Sequence, residues 1–454
     1  MNHIDTKTIE EAVYNLCIQA NTSYSEILYE IIYDKFIKSK DKSEKQKLFN
    51  ILKNSEIAYN TKRPLCQDTG QVIVFLKIGQ NCKICGENIN VAINNAISRA
   101  YTENKYRMSI VKNAIFDRTN TKQNTPAIIY TDIVDGNSIN IQMLIKGAGS
   151  ENYSNFKALT PTSTKEEIFA FIRDTINNAG EKSCPPYIIG IGAGGTFESA
   201  GILSKQAFFN KNNSTDEIEF LEDLKNYLGK LNTNILDLKI ITTSTHIASM
   251  PIAVTINCHS TRHAECTIKN EQITYTHTSP NFRDIKNENN ELKEIKTTEI
   301  TKIKQLSPGE SFLLTGEIYT ARDAAHKRLF EDYAKNKTLP IDLKEKFIFY
   351  AGPCPATKNE IIGPIGPTTS IRMDSFLEFV HSQGLLGTIG KGERTQNANN
   401  MIKKFNGKYF STQGGIACLL SSCVKYTETI AYEELGTEAI RKLYVEKLPL
   451  TVEI

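Results

Sequence analysis

The chain has 454 residues, enough for about two to four domains. Hydrophobic residues make up 40% and charged residues 23%, which excludes a disordered chain, a collagen-like chain and a coiled-coil rod. Because 54 Lys and Arg residues nearly balance 51 Asp and Glu residues, the net charge of +3 provides no strong field for nucleic acid or an anionic membrane.

Neither a membrane span nor an export signal is predicted. No stretch reaches the roughly 18 apolar residues of a spanning helix, and the N-terminus lacks the basic and apolar regions of a signal peptide. Ten cysteines in so long a chain, without an export signal, favour reduced thiols. We therefore expect a cytoplasmic protein whose cysteines are buried or bind a metal or cluster.

The first 60 residues predict helices. The first begins with a cap at Asp5 or Thr6 and carries Ile9, Val13 and Leu16 on one face. The next elements are a turn and buried strand over 67–79, a helix over 91–106, two paired strands within 126–147 joined by a turn at Asp135-Gly136-Asn137, a helix over 164–180, a strand, glycine loop and helix over 186–209, and a strand over 249–260.

A polar stretch then separates two predicted domains, 1–278 and 295–454, with a linker over 279–294. Beyond the linker, strands again alternate with helices and polar loops. Three of these loops carry cationic and hydroxyl side chains, near Arg322, Thr368 to Arg372, and Lys391. Because a guanidinium binds a carboxylate with two hydrogen bonds, such loops suit recognition of small carboxylates.

Three short motifs allow other readings. Asp68-Thr69-Gly70 matches the aspartic protease triplet, but the chain has no second copy and that chemistry requires two carboxylates. The run Gly190–Gly195 matches the dinucleotide fingerprint of an NAD(P)-dependent oxidoreductase, although the acidic residue expected about 20 positions later is missing. Cys82 and Cys85 form half of a zinc motif without a second pair.

Cys66, Cys184 and Cys258 share a different setting. Each lies where a strand borders a polar or Pro/Gly turn. Thiolates presented from turns are typical ligands of iron–sulfur clusters. Spacing alone does not single out these three among ten cysteines.

Taken together, these segments resemble class I fumarate hydratases, the iron–sulfur hydro-lyase family that includes the L-tartrate dehydratases. The likeness runs from about residue 10 to the end, in the fused one-chain form. The matching stretches are 63–79, 112–129, 146–154, 184–198, 245–254, 316–328, 350–356, 365–374 and 389–394. The resemblance implies an α/β and α+β fold in two domains, a mixed helical and sheet domain that carries the cluster and a C-terminal swivelling β/α/β domain.

The resemblance also implies the site. A four-iron, four-sulfur cluster is held by Cys66, Cys184 and Cys258, and one iron has no protein ligand. The residues implied at the substrate are Gln67, Arg107, Gly149, Arg322, Arg372 and Lys391, with Thr368, Asp68 and His246 in acid–base roles. One departure is Ala148, where the family usually has a third glycine.

The expected reaction is the reversible hydration of fumarate to (S)-malate by a homodimer, without nucleic acid or membrane partners. The open iron acts as a Lewis acid for the hydroxyl group, and cations hold both ends of the dicarboxylate. Because the ligands and clamps come from both domains, we expect the site between them. Other hypotheses are a tartrate or mesaconate dehydratase, a cluster-based oxygen or iron sensor, and the NAD(P) enzyme of Gly190–Gly195.

Overall fold

The computed structural model describes residues 2–260, 262–276, 278–286 and 292–454. The chain divides into two compact units. Unit 1 comprises Met1–Asp34 and Asp68–Asn281, and unit 2 comprises Lys35–Gln67 and Phe282–Ile454. No periodicity in the sequence indicated that 35–67 packs with the C-terminal half. Residues 287–291 of the predicted linker lie outside the described residues.

Both units mix helices with sheets, so the α/β composition is confirmed. The α-helices are α1 Thr6–Thr22, α2 Glu26–Lys38, α3 Lys42–Thr61, α4 Ile89–Glu103, α5 Ala148–Glu151, α6 Lys165–Ala179, α7 Phe197–Gln206, α8 Thr215–Leu228, α9 Ile300–Gln305, α10 Asp323–Asn336, α11 Leu377–Ser382, α12 Gln396–Lys404 and α13 Ala417–Ser422. Short 3-10 helices cover Gly180–Ser183, Ala207–Phe209, Gly229–Asn234, Ser370–Phe376 and Glu433–Glu438.

The strands of unit 1 are β1 Asn2–Asp5, β2 Gln71–Gly79, β3 Cys82–Cys85, β4 Ile128–Val134, β5 Ile139–Lys146, β6 Asn155–Leu159, β7 Tyr187–Gly195, β8 Ile235–Thr245, β9 Met250–Asn257, β10 Arg262–Lys269 and β11 Gln272–Tyr275. Those of unit 2 are β12 Glu294–Lys296, β13 Ser311–Thr320, β14 Phe347–Phe349, β15 Gly387–Gly390, β16 Lys408–Ser411, β17 Val424–Ala431 and β18 Ile440–Val452. Within the described part of the chain, no helix is both long and apolar enough to cross a membrane.

The first helix follows the sequence pattern. Asp5 caps α1 by accepting a hydrogen bond from the backbone N–H of Lys7, which satisfies one of the donors left open at a helix start. Ile9, Val13 and Leu16 are fully buried. They pack into the core of unit 1 with β2, β5 and β10, so the predicted apolar face is confirmed.

The predicted pairing of the two strands within 126–147 is wrong. β2 lies between β4 and β5, parallel to the first and antiparallel to the second. The connecting turn bonds to the end of β2 instead: Gly79 N–H donates to Ser138 O at 2.9 Å, and Asn81 N–H to Gly136 O at 3.0 Å. An almost wholly buried strand such as β2 needs hydrogen-bonding neighbours on both edges, and this arrangement provides them.

The glycine run is a strand and not the predicted loop. β7 continues to Gly195 and is followed by α7. A Cβ at Gly190 would lie 2.0 Å from Ser204 O, and one at Gly192 would lie 2.2 Å from Ala200 O. The glycines therefore let α7 approach the sheet closely, which accounts for them without a bound dinucleotide.

Unit 2 is built around a small barrel. β13, β14, β15 and β16 are parallel neighbours, and β18 closes the sheet by pairing antiparallel with β16 and with β13. Helices connect the successive parallel strands. Because the carboxyl ends of parallel strands meet at one edge, the loops that follow β13, β14 and β15 lie together.

Candidate active site

In unit 1, Asp68 is the centre of a polar cluster. Its Oδ1 lies 3.1 Å from Nη2 of Arg107, and its Oδ2 accepts the Ala148 N–H at 3.1 Å. The buried Arg262 donates from Nη1 to the Asp68 carbonyl oxygen. A Cβ at Gly147 would lie 2.8 Å from Nη2 of Arg262, so the loop passes close to this cluster.

The turn that carries Asp68 is fixed from several sides. Gly70 has a φ of +62°, and a Cβ there would lie 2.6 Å from Lys146 O. The Thr69 hydroxyl donates to the Arg107 carbonyl oxygen at 2.7 Å, and the Tyr101 hydroxyl donates to Thr69 O at 2.5 Å. The expected tight turn before β2 is confirmed, and it also holds the backbone of Arg107.

Cys184 and Cys258 lie at the same end of one strand pair. Cys184 is three residues before the start of β7, Cys258 follows the end of β9, and Ile188 pairs antiparallel with Asn257. Both thiols act electrostatically on Tyr187: burial is the main cause of its raised pKa, and the two cysteines add to the rise. Two of the three expected cluster ligands are therefore presented from turns at one edge of unit 1.

Hydrogen bonds connect this edge to the loop at Gly149. The Ser183 hydroxyl donates to Gly149 O at 3.1 Å, next to Cys184 in the chain. On the other side, Cys258 Sγ lies 2.9 Å from the Ser260 Oγ. Gly149 and the two cysteines thus belong to one polar region of unit 1.

Lys146 is a buried cation in this region. Its Nζ donates to Ser150 Oγ at 2.7 Å and to Ile256 O at 2.6 Å, and Glu151 Oε2 lies at 3.6 Å. Burial lowers the pKa of Lys146 to about 8, while Glu151 and Cys258 act in the opposite direction. Lys146 therefore joins the Gly149 loop to the strand that presents Cys258.

The structure does not bring His246 to this cluster within unit 1. His246 is exposed and follows β8, which runs parallel to β7. The carboxyl end of β8 is therefore at the far end of the sheet from Cys184, roughly 30 Å away for nine strand residues. Its ring accepts the Ala248 N–H at 3.1 Å. His259, which follows Cys258 in the chain, is buried and lies 3.2 Å from the Tyr24 hydroxyl.

Cys66 and Gln67 belong to unit 2, where they contact the loop before Thr368. Gln67 Nε2 donates to Pro367 O at 3.3 Å, and a Cβ at Gly366 would lie 2.4 Å from Gln67 Oε1. The thiols of Cys66 and Cys354 donate to the Gln67 side-chain and backbone oxygens at 3.6 and 3.5 Å. The Gly366 backbone is therefore shaped to receive Gln67.

The residues just before Cys66 are tied to the same unit. Arg63 forms an ion pair with Glu360 at 2.7 Å and donates to Pro355 O at 2.8 Å. Leu65 O accepts the Ala417 N–H at 3.2 Å. These bonds explain why a segment so early in the chain belongs with the C-terminal strands.

The loops after β13 and β14 form a cationic cluster around one carboxylate. Arg372 donates from Nη2 to Asp323 Oδ2, and its Nη1 lies 3.4 Å from the Thr368 hydroxyl. Arg322 Nη2 lies 3.8 Å from the same Asp323 oxygen and 3.1 Å from Glu438 Oε1. Burial raises the pKa of Asp323, and the Arg372 and Arg322 charges oppose that rise.

Lys391 lies beside Thr368 through backbone pairing. The Lys391 N–H donates to Thr368 O at 3.2 Å, and the Ser370 N–H donates to Lys391 O at 3.0 Å. The structure therefore places four of the expected unit 2 residues, Arg322, Thr368, Arg372 and Lys391, on loops at the carboxyl ends of parallel strands.

Sequence reasoning gave no role to several residues of these clusters. Lys146 reads as the end of a strand, Arg262 as a loop charge after His259, and Glu438 lies far from any glycine loop. Arg394 is the last residue of the matching stretch 389–394, and that position was its only signal. Polar residues that hold site loops in place do not recur at a characteristic sequence spacing, so they can be identified only once the fold is known.

No group of three or more His, Cys, Asp or Glu side chains among the described residues is placed to hold a single metal ion. Cluster ligands are spaced more widely, because each thiolate binds a different iron. No disulfide joins any of the ten cysteines, all of which lie among the described residues. The three-cysteine ligand set stays a prediction.

Two family models match the chain. "Fumarate hydratase (Fumerase)" matches residues 10–267, and "Fumarase C-terminus" matches residues 266–454. Together they cover both described units.

The relatives include fumarate hydratases and the alpha subunit of a tartrate dehydratase. The chain is 30% identical to "Fumarate hydratase class I, anaerobic" of Escherichia coli (strain K12), over 90% of this chain and 80% of the relative. It is 29% identical to "Fumarate hydratase 2" of Leishmania major, over 89% and 77%. A third relative, "Putative L(+)-tartrate dehydratase subunit alpha" of Methanocaldococcus jannaschii, is 35% identical over 58% of this chain and 98% of its own length.

Proposed function

Because this chain belongs to the class I fumarate hydratase family, we propose that it catalyses the reversible hydration of fumarate to (S)-malate. The observation that carries the proposal is the cluster of Arg322, Arg372 and Thr368 around Asp323. Two guanidinium groups and a hydroxyl group in one set of loops suit a carboxylate next to a carbon that gains or loses a proton.

The cations bind and orient the substrate. Arg322, Arg372 and Lys391 in unit 2 and Arg107 in unit 1 supply cationic hydrogen-bond donors for the two carboxylates of the substrate. Asp323 and Glu438 hold the guanidinium groups in place before substrate arrives, and such preorganisation lowers the cost of orientation. Gln67 and the Gly149 backbone supply neutral hydrogen bonds.

Thr368 moves the proton on carbon in this proposal. An unassisted threonine hydroxyl is a weak base, but Arg372 lies 3.4 Å from its oxygen and favours its deprotonated form by charge. Asp68, held by Arg107 at 3.1 Å, is the second acid–base group. His246 keeps its proposed role only if the second copy of a homodimer supplies it, since it lies at the far end of its own sheet.

Cys66, Cys184 and Cys258 would hold the four-iron, four-sulfur cluster. The fit is supported by the two unit 1 cysteines at one strand edge and by the buried Lys146 ammonium, which offsets the negative charge of thiolates. When bound, the cluster supplies a Lewis acid for the hydroxyl group that is added or removed.

A tartrate dehydratase is the second candidate. It is supported by the 35% identity to the Methanocaldococcus jannaschii alpha subunit. Tartrate carries one more hydroxyl group than malate, so a site that accepts it needs an additional hydrogen-bonding group.

The test is a kinetic panel on anaerobically reconstituted protein, with fumarate, (S)-malate, tartrate and mesaconate compared by kcat/KM. We expect the highest kcat/KM with fumarate or malate. Preference for tartrate would transfer the proposal to the second candidate, and turnover of none of the four would reject both.

The homodimer has its own test. We expect a two-chain mass in solution by light scattering. A mixture of Thr368→Val and His246→Asn chains should regain activity that neither variant has alone, because mixed dimers contain one intact site. A monomer, or no regain, would reject the role of His246 across the dimer.

A further inference from the structure

A buried arginine lies beneath the loops that carry Thr368 and Lys391. The Arg394 side chain is fully buried, and its Nη1 lies 2.6 Å from Asp374 Oδ1. Its Nη2 donates to the Tyr350 hydroxyl at 2.8 Å and to Thr388 Oγ at 3.3 Å. The guanidinium lies over the Tyr350 and Tyr409 rings, 5.1 and 4.6 Å from their centroids.

Tyr350 links this arginine to Thr368. The Tyr350 carbonyl oxygen accepts the Thr368 N–H at 2.7 Å, and its own N–H donates to Ile389 O at 2.8 Å. Asp374 makes a comparable link on the other side, because its Oδ2 accepts the Thr395 hydroxyl at 2.9 Å. The partners of Arg394 therefore bond to Thr368 in one loop and to Ile389 and Thr395, which flank Lys391 in the other.

Tyr409 joins the two loops directly. Its hydroxyl donates to Gly392 O at 2.6 Å and lies 2.9 Å from Ser370 Oγ. Ser370 in turn donates its N–H to Lys391 O. A Cβ at Gly390 would lie 2.0 Å from Ser370 Oγ, so the glycine before Lys391 is needed for this contact.

Burying the charged Arg394 and Asp374 side chains carries a free-energy cost for folding. A buried charge loses its hydration, and apolar side chains of similar volume often stabilise a core as well or better. Buried hydrogen-bond networks nevertheless hold their neighbours in one geometry, and here the two Nη atoms of Arg394 are bonded while its Nε has no hydrogen-bond partner among the described residues. A catalytic hydroxyl and ammonium need that constraint, because they must lie within about 0.5 Å of the productive position.

We propose that Arg394, Asp374, Tyr350, Tyr409 and Ser370 form a positioning layer that fixes the loops of Thr368 and Lys391 for catalysis. The inference rests on the proposed function, which assigns the reaction to those loops. The members of the layer act through the two loops and not on the substrate itself.

The test is Tyr409→Phe, which keeps the ring over Arg394 and removes only the hydroxyl bonds to Gly392 and Ser370. Tyr432→Phe is the matched control, since it removes a 2.8 Å hydroxyl bond to Asp332 in the same unit. Amide hydrogen exchange is measured over 366–376 and 389–395 on cluster-loaded protein, together with kcat, KM and the thermal midpoint.

We expect exchange in those two segments to become about threefold to tenfold faster in Tyr409→Phe, the effect of losing one hydrogen bond. We expect kcat to fall about 10- to 100-fold, because small misplacements are costly, with KM changed less than about threefold. Tyr432→Phe should match wild type in the exchange rates of both segments and in kcat. Unchanged exchange, or a lower thermal midpoint with unchanged kcat, would overturn the inference.

Arg394→Lys is the second variant. It keeps one charge but cannot reach Asp374 and Tyr350 with the same planar geometry, so we expect a loss of kcat at least as large. Hydrogen exchange tests the positioning layer separately from the proposed function. If wild type does not hydrate fumarate, the proposed function fails, while faster exchange in Tyr409→Phe still supports the positioning layer.

Discussion

Asp323 determines how the two arginines of unit 2 are presented. It bonds to Arg372, lies 3.8 Å from Arg322 and is itself partly buried. Glu438 also pairs with Arg322, at 3.1 Å, so two carboxylates balance the two guanidinium groups, and these arginines offer a substrate carboxylate directed N–H donors rather than a net charge. Substrate binding in unit 2 therefore depends on the fixed positions of these two guanidinium groups.

Replacing Arg372 with Lys should reduce catalysis. A lysine ammonium is a single point charge and cannot contact both Asp323 and Thr368 as the guanidinium does. We expect a loss of roughly 1.5–3 kcal/mol in transition-state stabilisation, or about 10- to 150-fold in kcat/KM. Arg328→Lys, on an exposed side chain in the same unit, is the control. Equal kcat/KM for Arg372→Lys and the control would show that Arg372 does not bind substrate.

Serine variants of the cysteines test the ligand set. Cys66→Ser, Cys184→Ser and Cys258→Ser should each lose the broad visible absorption of the cluster after anaerobic reconstitution, because serine is a poor ligand for iron in a sulfide cluster. Cys82→Ser, Cys85→Ser and Cys266→Ser should retain it. Loss in Cys82→Ser and Cys85→Ser together with retention in Cys258→Ser would contradict the assignment.

At the scale of single elements, the contact between α7 and β7 depends on missing side chains. Gly190 and Gly192 have helix backbone where a Cβ would be, whereas Gly201 on α7 itself has nothing within 4 Å of that position. The same substitution should therefore have opposite effects at two sites of one helix–strand pair.

Gly192→Ala should lower the free energy of unfolding by about 1–3 kcal/mol or more through overpacking. Gly201→Ala should raise it by up to about 1 kcal/mol, since alanine is the better helix former. Denaturant unfolding of both variants checks the pair. Equal stability of Gly192→Ala and wild type would be inconsistent with the tight packing of α7.

We expect His326 on α10 to make the stability of unit 2 depend on pH. Burial lowers its pKa from 6.5 to about 4, and the Arg394 charge acts in the same direction. The unfolded chain therefore binds the proton first as pH falls, so stability decreases from about pH 6.5 towards pH 4.

The measurement is urea unfolding at several pH values. Wild type should lose more stability than His326→Gln over that range, by on the order of 1–3 kcal/mol. Parallel pH profiles for the two proteins would rule out His326 as the source.

For the whole molecule, local patterns predicted the elements better than their partners. The cap of α1 and the buried strand β2 follow from residue type and period. The position of β2 between β4 and β5 does not, because pairing depends on which buried edges compete for hydrogen bonds.

The same limit applies to the candidate site. Loop residues such as Arg322 and Thr368 could be named from the sequence, because they lie in polar loops and in stretches that resemble the family. The packing of 35–67 with unit 2, and the layer around Arg394, could not, because long-range hydrogen bonds such as Ala417 to Leu65 have no local signature.

The central claim is that hydration depends on a cluster held by this chain, and one measurement tests it most directly. Fumarate hydration is followed in anaerobically reconstituted protein before exposure to air, after exposure, and after addition of ferrous iron and reductant. We predict activity that decays in air together with the visible absorption, decays more slowly under saturating malate, and returns with iron as long as the thiols stay reduced. Full activity from aerobically purified, iron-free protein would contradict the account.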